Sequence, residues 1–283
     1  MNHCPNYMNK ILYLSEDKYP CYDIPVYKLE NDRVAEVYAQ GYLPEIRVRG
    51  EDIGNRPKIA IILGQDKHSD REEKDFTIHP AYVRAIIEAG GYPLFFAYDK
   101  IEKVLENYQP QGILLIGGFF NSPKDWYESD DCQDIDKRGQ AYLNTLKYAQ
   151  KHNLPLLGIC AGMQMLGGFC GAKLEKGHKN HLIGGDKIAH KIKIKKGTLL
   201  AKIAEDDELT VNSHHSEAIV INKSGKCIIS ALSDDEVVEA IEPQNPWSDF
   251  VLGVQWHPER NFPNSEDFRT KLFGTFVKAC SGK

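Results

Sequence analysis

Cys160 is the residue whose setting most plainly suggests chemistry. It ends the apolar run Leu154-Pro-Leu-Leu-Gly-Ile, with Gly158 two residues before it and Gly162 two after, and the chain continues as Met163-Gln-Met-Leu-Gly-Gly. The pattern G-x-C-x-G is the thiol counterpart of the nucleophile elbow, a sharp strand-to-helix turn that lifts a reactive side chain above the edge of a sheet. Flanking glycines let strand and helix approach without a Cβ between them, while the nucleophile takes a strained backbone conformation. A sulfur at a helix amino end is also more easily held as thiolate, because the free N–H groups and the macrodipole favour negative charge there. Cys170 and Cys227 have apolar company and no such glycines, so they read as structural thiols.

A thiol nucleophile needs a base and a means of orienting it. Val251-Leu-Gly-Val-Gln-Trp leads into His257, and Glu259 follows two residues on. Read as an extended chain, that spacing puts ring and carboxylate on one face. His257 would then take the thiol proton and later deliver it to a leaving amine, while Glu259 fixes the imidazole tautomer. Two N–H donors must also meet the developing oxyanion. Ala161, next after the nucleophile, offers one; the other is expected from Gly118, or next from Gly117, where Leu114-Leu-Ile runs into paired glycines.

These residues need a scaffold, and alternating strand and helix patterns supply it. Short β-branched or apolar runs at 59–63, 93–97, 112–116 and 154–159 predict buried parallel strands. Helical spacing at 79–89, 101–107 and 139–152 predicts the crossovers between them. After Cys170 the texture changes to short strands at 187–194, 217–221, 227–231 and 237–241. In the first of these, lysine alternates with isoleucine, which predicts a half-buried strand with a solvated face rather than a basic binding patch. The fold class expected is α/β: an open, mostly parallel sheet flanked by helices, with a β-rich carboxy-terminal half. Residues 1–56, with Pro5, Pro20, Pro25 and Pro44, read as an irregular extension ahead of a main domain at 57–283.

Bulk properties narrow the function classes. The 283 residues carry a formal net charge of -5, which argues against a broad electrostatic grip on nucleic acid or anionic lipid. Seven cysteines, an odd number without a CxxC pair or metal-ligand spacing, suggest a reducing compartment. The only apolar run near the amino terminus is Ile11 to Leu14, too short for a signal-peptide core. The expectation is a soluble, cytoplasmic protein without nucleic-acid or membrane partners, with signal-independent export left open.

Taken together, the motifs resemble the class I glutamine amidotransferases, and among them the γ-glutamyl-γ-aminobutyrate hydrolases. The segments HPAYVRAIIEAGGYPL, GILLIGG, LGICAGMQMLGGFCGAKL, VNSHHSEAIV, VVEAIE and GVQWHPERN occur in the family's order, over about residues 57 to 280. The resemblance implies a flavodoxin-like core and hydrolysis of a γ-glutamyl amide through a cysteine thioester, with Cys160, His257 and Glu259 as triad. It implies Gly118 and Ala161 as oxyanion donors, places Gln164, Ser213 and His215 on the substrate side, and implies no metal and no organic cofactor. The partner expected is a small-molecule γ-glutamyl substrate, and the resemblance is compatible with a homodimer or with a protein partner bound through residues 1–56. Two departures bear on specificity: Ala161 stands where the hydrolases usually carry arginine, and Glu217 where glutamine is frequent. The alternatives are a glutaminase subunit supplying ammonia to a separate synthetase, and a protein-directed or binding derivative that uses the extension.

Overall fold

The computed structural model describes residues 21–30, 33–42, 55–65, 76–98, 100–129, 132–260, 262–263 and 265–282. The other residues of the extension, 1–20, 31–32 and 43–54, lie outside the described residues.

The sheet is built on the apolar runs. Strand β3 (Lys58–Ile62) is Lys-Ile-Ala-Ile-Ile, and its four apolar residues are all inaccessible to solvent. They divide by parity: Ile59 and Ile61 join one core, Ala60 and Ile62 the other. A strand covered on both faces needs apolar residues at every position, which is why these runs do not alternate. The same holds for β4 (Tyr92–Phe96), β5 (Gly112–Leu115) and β6 (Leu156–Ile159). Helices α1 (Pro80–Glu88) and α6 (Glu266–Ser281) pack on the first core, and α2 (Ile101–Tyr108), α3 (Lys137–Lys151) and α4 (Ala161–Phe169) on the second. In α1 the start is set by His79, whose Nδ1 accepts from the Ala81 N–H at 3.2 Å, and by Pro80 in the first turn.

The later strands are β7 (His190–Ile194), β8 (Glu208–Val211), β9 (Cys227–Ser233), β10 (Val238–Pro243) and β11 (Val251–Val254), with the short helix α5 (Leu199–Ala204) between the first two. Two more, β1 (Cys21–Glu30) and β2 (Arg33–Tyr42), come from the extension. The eleven strands lie in the order β8-β7-β9-β10-β11-β6-β5-β3-β4-β1-β2. From β11 across to β1 neighbouring strands run parallel, and both ends of the sheet are antiparallel. The mostly parallel core with a β-rich carboxy-terminal half is thus present. On β7, Ile192 and Ile194 are buried while Lys191 and Lys193 point to solvent and pair with Glu208 and Asp234, the solvated face that the alternation predicts.

Two expectations change. Within 1–56, read as irregular, residues 21–30 and 33–42 form an antiparallel hairpin that extends the sheet, with Val26 and Tyr27 in register with Phe95 and Phe96. Of the four prolines only Pro25 lies among the described residues, opposite Tyr38 and just before the two β1 residues that pair with β4. Strand β11 also stops at Val254, and the chain then turns: the Arg260 N–H reaches the His257 carbonyl at 3.2 Å. His257 and Glu259 therefore do not alternate along a strand. No helix among the described residues is long and apolar enough to cross a membrane.

Candidate active site

Three parallel strands end at one place. The carboxyl end of β6 delivers Cys160, that of β5 delivers Gly117 and Gly118, and the turn after β11 delivers His257, so the site lies in the crevice outside the strand ends where open α/β sheets place their ligands.

Cys160 has φ 54° and ψ −113°, a conformation that costs an L-residue on the order of 1–3 kcal/mol and persists only where the surroundings enforce it. Its N–H is held by the Val254 carbonyl at 2.8 Å, and α4 begins at the next residue. The elbow glycines are sterically obligatory. A Cβ on Gly162 would stand 2.1 Å from the Leu115 carbonyl oxygen, and one on Gly158 would stand 2.7 Å from that of Gly162. Any side chain at either position would push α4 off the sheet and the sulfur out of place.

His257 is clamped through its backbone. Asn212, fully buried, accepts from the His257 N–H at 2.8 Å and donates to the His257 carbonyl at 2.8 Å, which fixes the turn that presents the ring. Nδ1 lies 2.8 Å from Glu259 Oε1, a distance typical of a charge-assisted hydrogen bond. With Nδ1–H given to the carboxylate, Nε2 of the neutral ring keeps its lone pair, and no other side chain or backbone group among the described residues bonds it. A Cβ on Gly117 would fall 2.9 Å from His257 Cε1 and 3.1 Å from Cys160 Cβ, so ring, thiol and the Gly117 backbone meet at one point. Burial opposes a charged imidazole here, but the Glu259 carboxylate and then the Cys160 sulfur outweigh it and raise the His257 pKa from 6.5 to about 10. The arrangement favours the imidazolium form of His257.

The glycine loop after β5 has its own supports. Tyr142 donates to the Ile116 carbonyl at 2.9 Å, and buried Arg138 donates to the Gly117 carbonyl at 2.8 Å. Gly118 has φ 133°, and a Cβ there would sit 2.4 Å from an Arg138 nitrogen, so only glycine serves. The Gly117 N–H donates to the Tyr82 hydroxyl at 3.1 Å. The N–H of Gly117, the second choice for an oxyanion donor, is therefore already engaged, although Gly117 lines the cleft beside Cys160 together with Gly118 and Ala161. Ala161 opens α4, where an N–H has no acceptor within the helix.

The cleft has a volume of about 310 Å³, within the range of small-molecule sites. Gln164 and His215 both line it. Gln164 donates to the Glu217 carbonyl at 2.8 Å, and His215 Nδ1 lies 3.0 Å from the same oxygen. Glu217 also lines it, accepting from the Tyr127 hydroxyl at 2.8 Å. Ser213 does not: it is fully buried behind the wall, donating to the His181 carbonyl at 2.9 Å, so the substrate-side placement implied for it is corrected. Its neighbour in the pattern faces the other way, because side chains alternate along an extended segment. Sequence reasoning missed Asn212, Tyr82 and Arg138. Tyr82 sits at a helical position that its periodicity explains as core, and Arg138 looks like an ordinary charge in a first helical turn.

Known proteins resemble this chain along most of its length. The family model described as Peptidase C26 matches residues 57–259. A glutamine amidotransferase-like protein of Rickettsia prowazekii is 31% identical over 281 residues, covering 80% of this chain and 96% of that protein. The gamma-glutamyl-gamma-aminobutyrate hydrolase PuuD of Escherichia coli strain K12 is 31% identical over 250 residues, covering 81% and 96%. Among solved structures, the glutaminase domain of Trypanosoma brucei CTPS with bound acivicin superposes with a TM-score of 0.56 at 18% identity, covering 80% of this chain and 94% of that one; at that identity the likeness concerns the fold.

Proposed function

Because the chain belongs to the Peptidase C26 family of class I glutamine amidotransferase-like enzymes, we propose that it hydrolyses a γ-glutamyl amide through a thioester on Cys160. The observation that carries this reading is the strained Cys160 at the head of α4 beside an imidazole that Glu259 orients. The relative named for γ-glutamyl-γ-aminobutyrate hydrolysis supports the substrate class.

In this mechanism the thiolate attacks the γ-carbonyl carbon, and the carbonyl oxygen gains charge that the N–H groups of Gly118 and Ala161 receive. The C–N bond then breaks as the His257 imidazolium protonates the departing amine, leaving a γ-glutamyl thioester. Neutral His257 next takes a proton from water. The hydroxide adds to the thioester, the C–S bond breaks, and glutamate leaves as the thiolate and imidazolium are restored. Glu259 holds the ring through its bond to Nδ1. The cleft carries both signs of charge, with Glu217 on one side and Arg138 and Arg260 on others. That suits a γ-glutamyl group, whose α-amino and α-carboxylate groups are oppositely charged. Residues 57–283 form the catalytic domain in this reading, and 1–56 an accessory segment.

A screen of γ-glutamyl amides, glutamine included, tests the proposal by reading released amine and the mass of trapped enzyme. Wild type should release amine from at least one of them and carry the acyl mass on Cys160, and Cys160→Ala should do neither. Equal amine release by the alanine variant would end the assignment.

A further inference from the structure

Behind the cleft wall lies a second cluster of ionisable side chains that the proposed reaction does not use. Glu239, on β10, has no exposed surface, and three histidines from separate segments surround it: His181, His190 and His215. The imidazole centroids of His181 lie 4.8 Å from those of His190 and 4.7 Å from those of His215. One carboxylate facing three rings raises the question of what sits between them.

The donor and acceptor inventory answers it. His215 Nδ1 lies 3.0 Å from the Glu217 carbonyl, a group that only accepts, so Nδ1 carries the hydrogen; with a single ring hydrogen, the Nε2 lone pair is aimed at Glu239. His181 Nε2 lies 3.1 Å from Asp235 Oδ2, also an acceptor; with the hydrogen on Nε2, Nδ1 is a lone pair between the Ser213 hydroxyl, 3.2 Å away, and Glu239. Two lone pairs and a carboxylate oxygen thus converge in a buried place. Among the described residues, His215 Nε2 and Glu239 Oε2 have no hydrogen-bond partner, although buried polar atoms are almost always paired.

The spacing fits a shared ion better than hydrogen bonds. Glu239 Oε1 stands 3.4 Å from His181 Nδ1 and 3.5 Å from His215 Nε2, whereas a charge-assisted N–H···O contact spans about 2.7–2.9 Å. Ligands about 2.0–2.1 Å from one tetrahedral zinc ion stand roughly 3.3 Å apart. The ligand atoms of His181, His215 and Glu239 all lie within 4.8 Å of one another. The surroundings are also those of a metal site, in which each ligating ring gives its other N–H to a carboxylate or a carbonyl and the ligating carboxylate is itself hydrogen-bonded. Asp235 and the Glu217 carbonyl serve the two rings, and His190 Nε2, at 3.1 Å, serves Glu239. A dication would be balanced by Glu239 and Asp235 together.

We propose that His181, His215 and Glu239 form a binding site for a zinc-class divalent transition metal, with Asp235 and His190 as its outer partners. The ion is not a reactant. His215 both lines the cleft and would bind the metal through its ring, so the ion fixes that wall.

Cobalt and zinc titrations of metal-free protein test this, with Cys160→Ala as the background so that the thiol cannot supply a ligand. The expected result is one ion per chain, with visible cobalt d–d absorption that zinc abolishes. Glu239→Gln and His181→Ala should lose this binding. Because a change at a fully buried position can prevent folding, Asp235→Asn is the second probe: its carboxylate is 58% exposed, and its loss should weaken affinity about 10–100-fold. Absence of stoichiometric binding in the Cys160→Ala background would overturn the site, as would affinity unchanged in a folded Glu239→Gln or in Asp235→Asn.

Discussion

Two histidine-carboxylate assemblies lie on either side of one cleft wall, and they are built in opposite ways. His257 has a single carboxylate partner two residues away, at 2.8 Å. Glu239 gathers three rings from three segments, at 3.1, 3.4 and 3.5 Å. In the first, a short bond to Glu259 fixes one ring nitrogen and leaves the other for a thiol. In the second, the outer nitrogens of His181 and His215 are anchored elsewhere, and the inner ones share a space too wide for strong hydrogen bonds. The same two residue types thus give a proton carrier when paired closely, and a cation cage when held apart.

The largest effect should come from removing what the first assembly serves. Cys160→Ala and His257→Asn are each expected to lower kcat by about 10⁴-fold or more, with nearly equal losses because the two act as a unit. Steady-state kinetics on any accepted γ-glutamyl amide measures this, and a His257→Asn loss of only a few-fold would separate the pair. Glu259→Gln keeps the shape but removes the charge that holds the tautomer, so kcat should fall by about 10²–10⁴-fold. Unchanged kcat would show that the short contact is structural. Glu239→Gln should sharpen the contrast: acting on the cleft only through His215, it is expected to raise KM by up to about tenfold. A kcat loss as deep as that of Glu259→Gln would mean that the two assemblies are one.

The degree to which each assembly could be read from the chain follows from sequence distance. The elbow was legible because its requirements are local: Gly158, Cys160 and Gly162 meet the strand, turn and helix within five positions. Glu259 was legible by proximity even though the extended-chain reasoning was wrong, because a turn can also bring i and i+2 together. The parallel strands announced themselves as unbroken apolar runs. The paired strands at 21–30 and 33–42 did not, since their mixed polar and apolar residues resemble a loose extension. Asn212 reaches His257 across 45 positions, Tyr82 reaches Gly117 across 35, and Arg138 reaches it across 21. Nothing near those residues in sequence reports such partners, and the Glu239 cluster is hidden for the same reason.

The smallest effect concerns pH and distinguishes the two partners of His257. Its pKa is raised from 6.5 to about 10, against the opposing effect of burial, by the Glu259 carboxylate and the Cys160 sulfur. A group whose folded pKa lies above its unfolded value contributes stability that is complete below the unfolded pKa and is lost as pH rises through the folded one. For His257 the contribution should be full near pH 6 and fade between about 6.5 and 10. The melting temperature of wild type relative to His257→Asn should therefore drop across that interval. In Cys160→Ala only the carboxylate still raises the ring, so the drop relative to the Cys160→Ala/His257→Asn double variant should come at lower pH. Thermal melts at closely spaced pH values read both curves. Coincident midpoints would mean that Glu259 alone holds the proton on the ring and that the sulfur is not charged beside it.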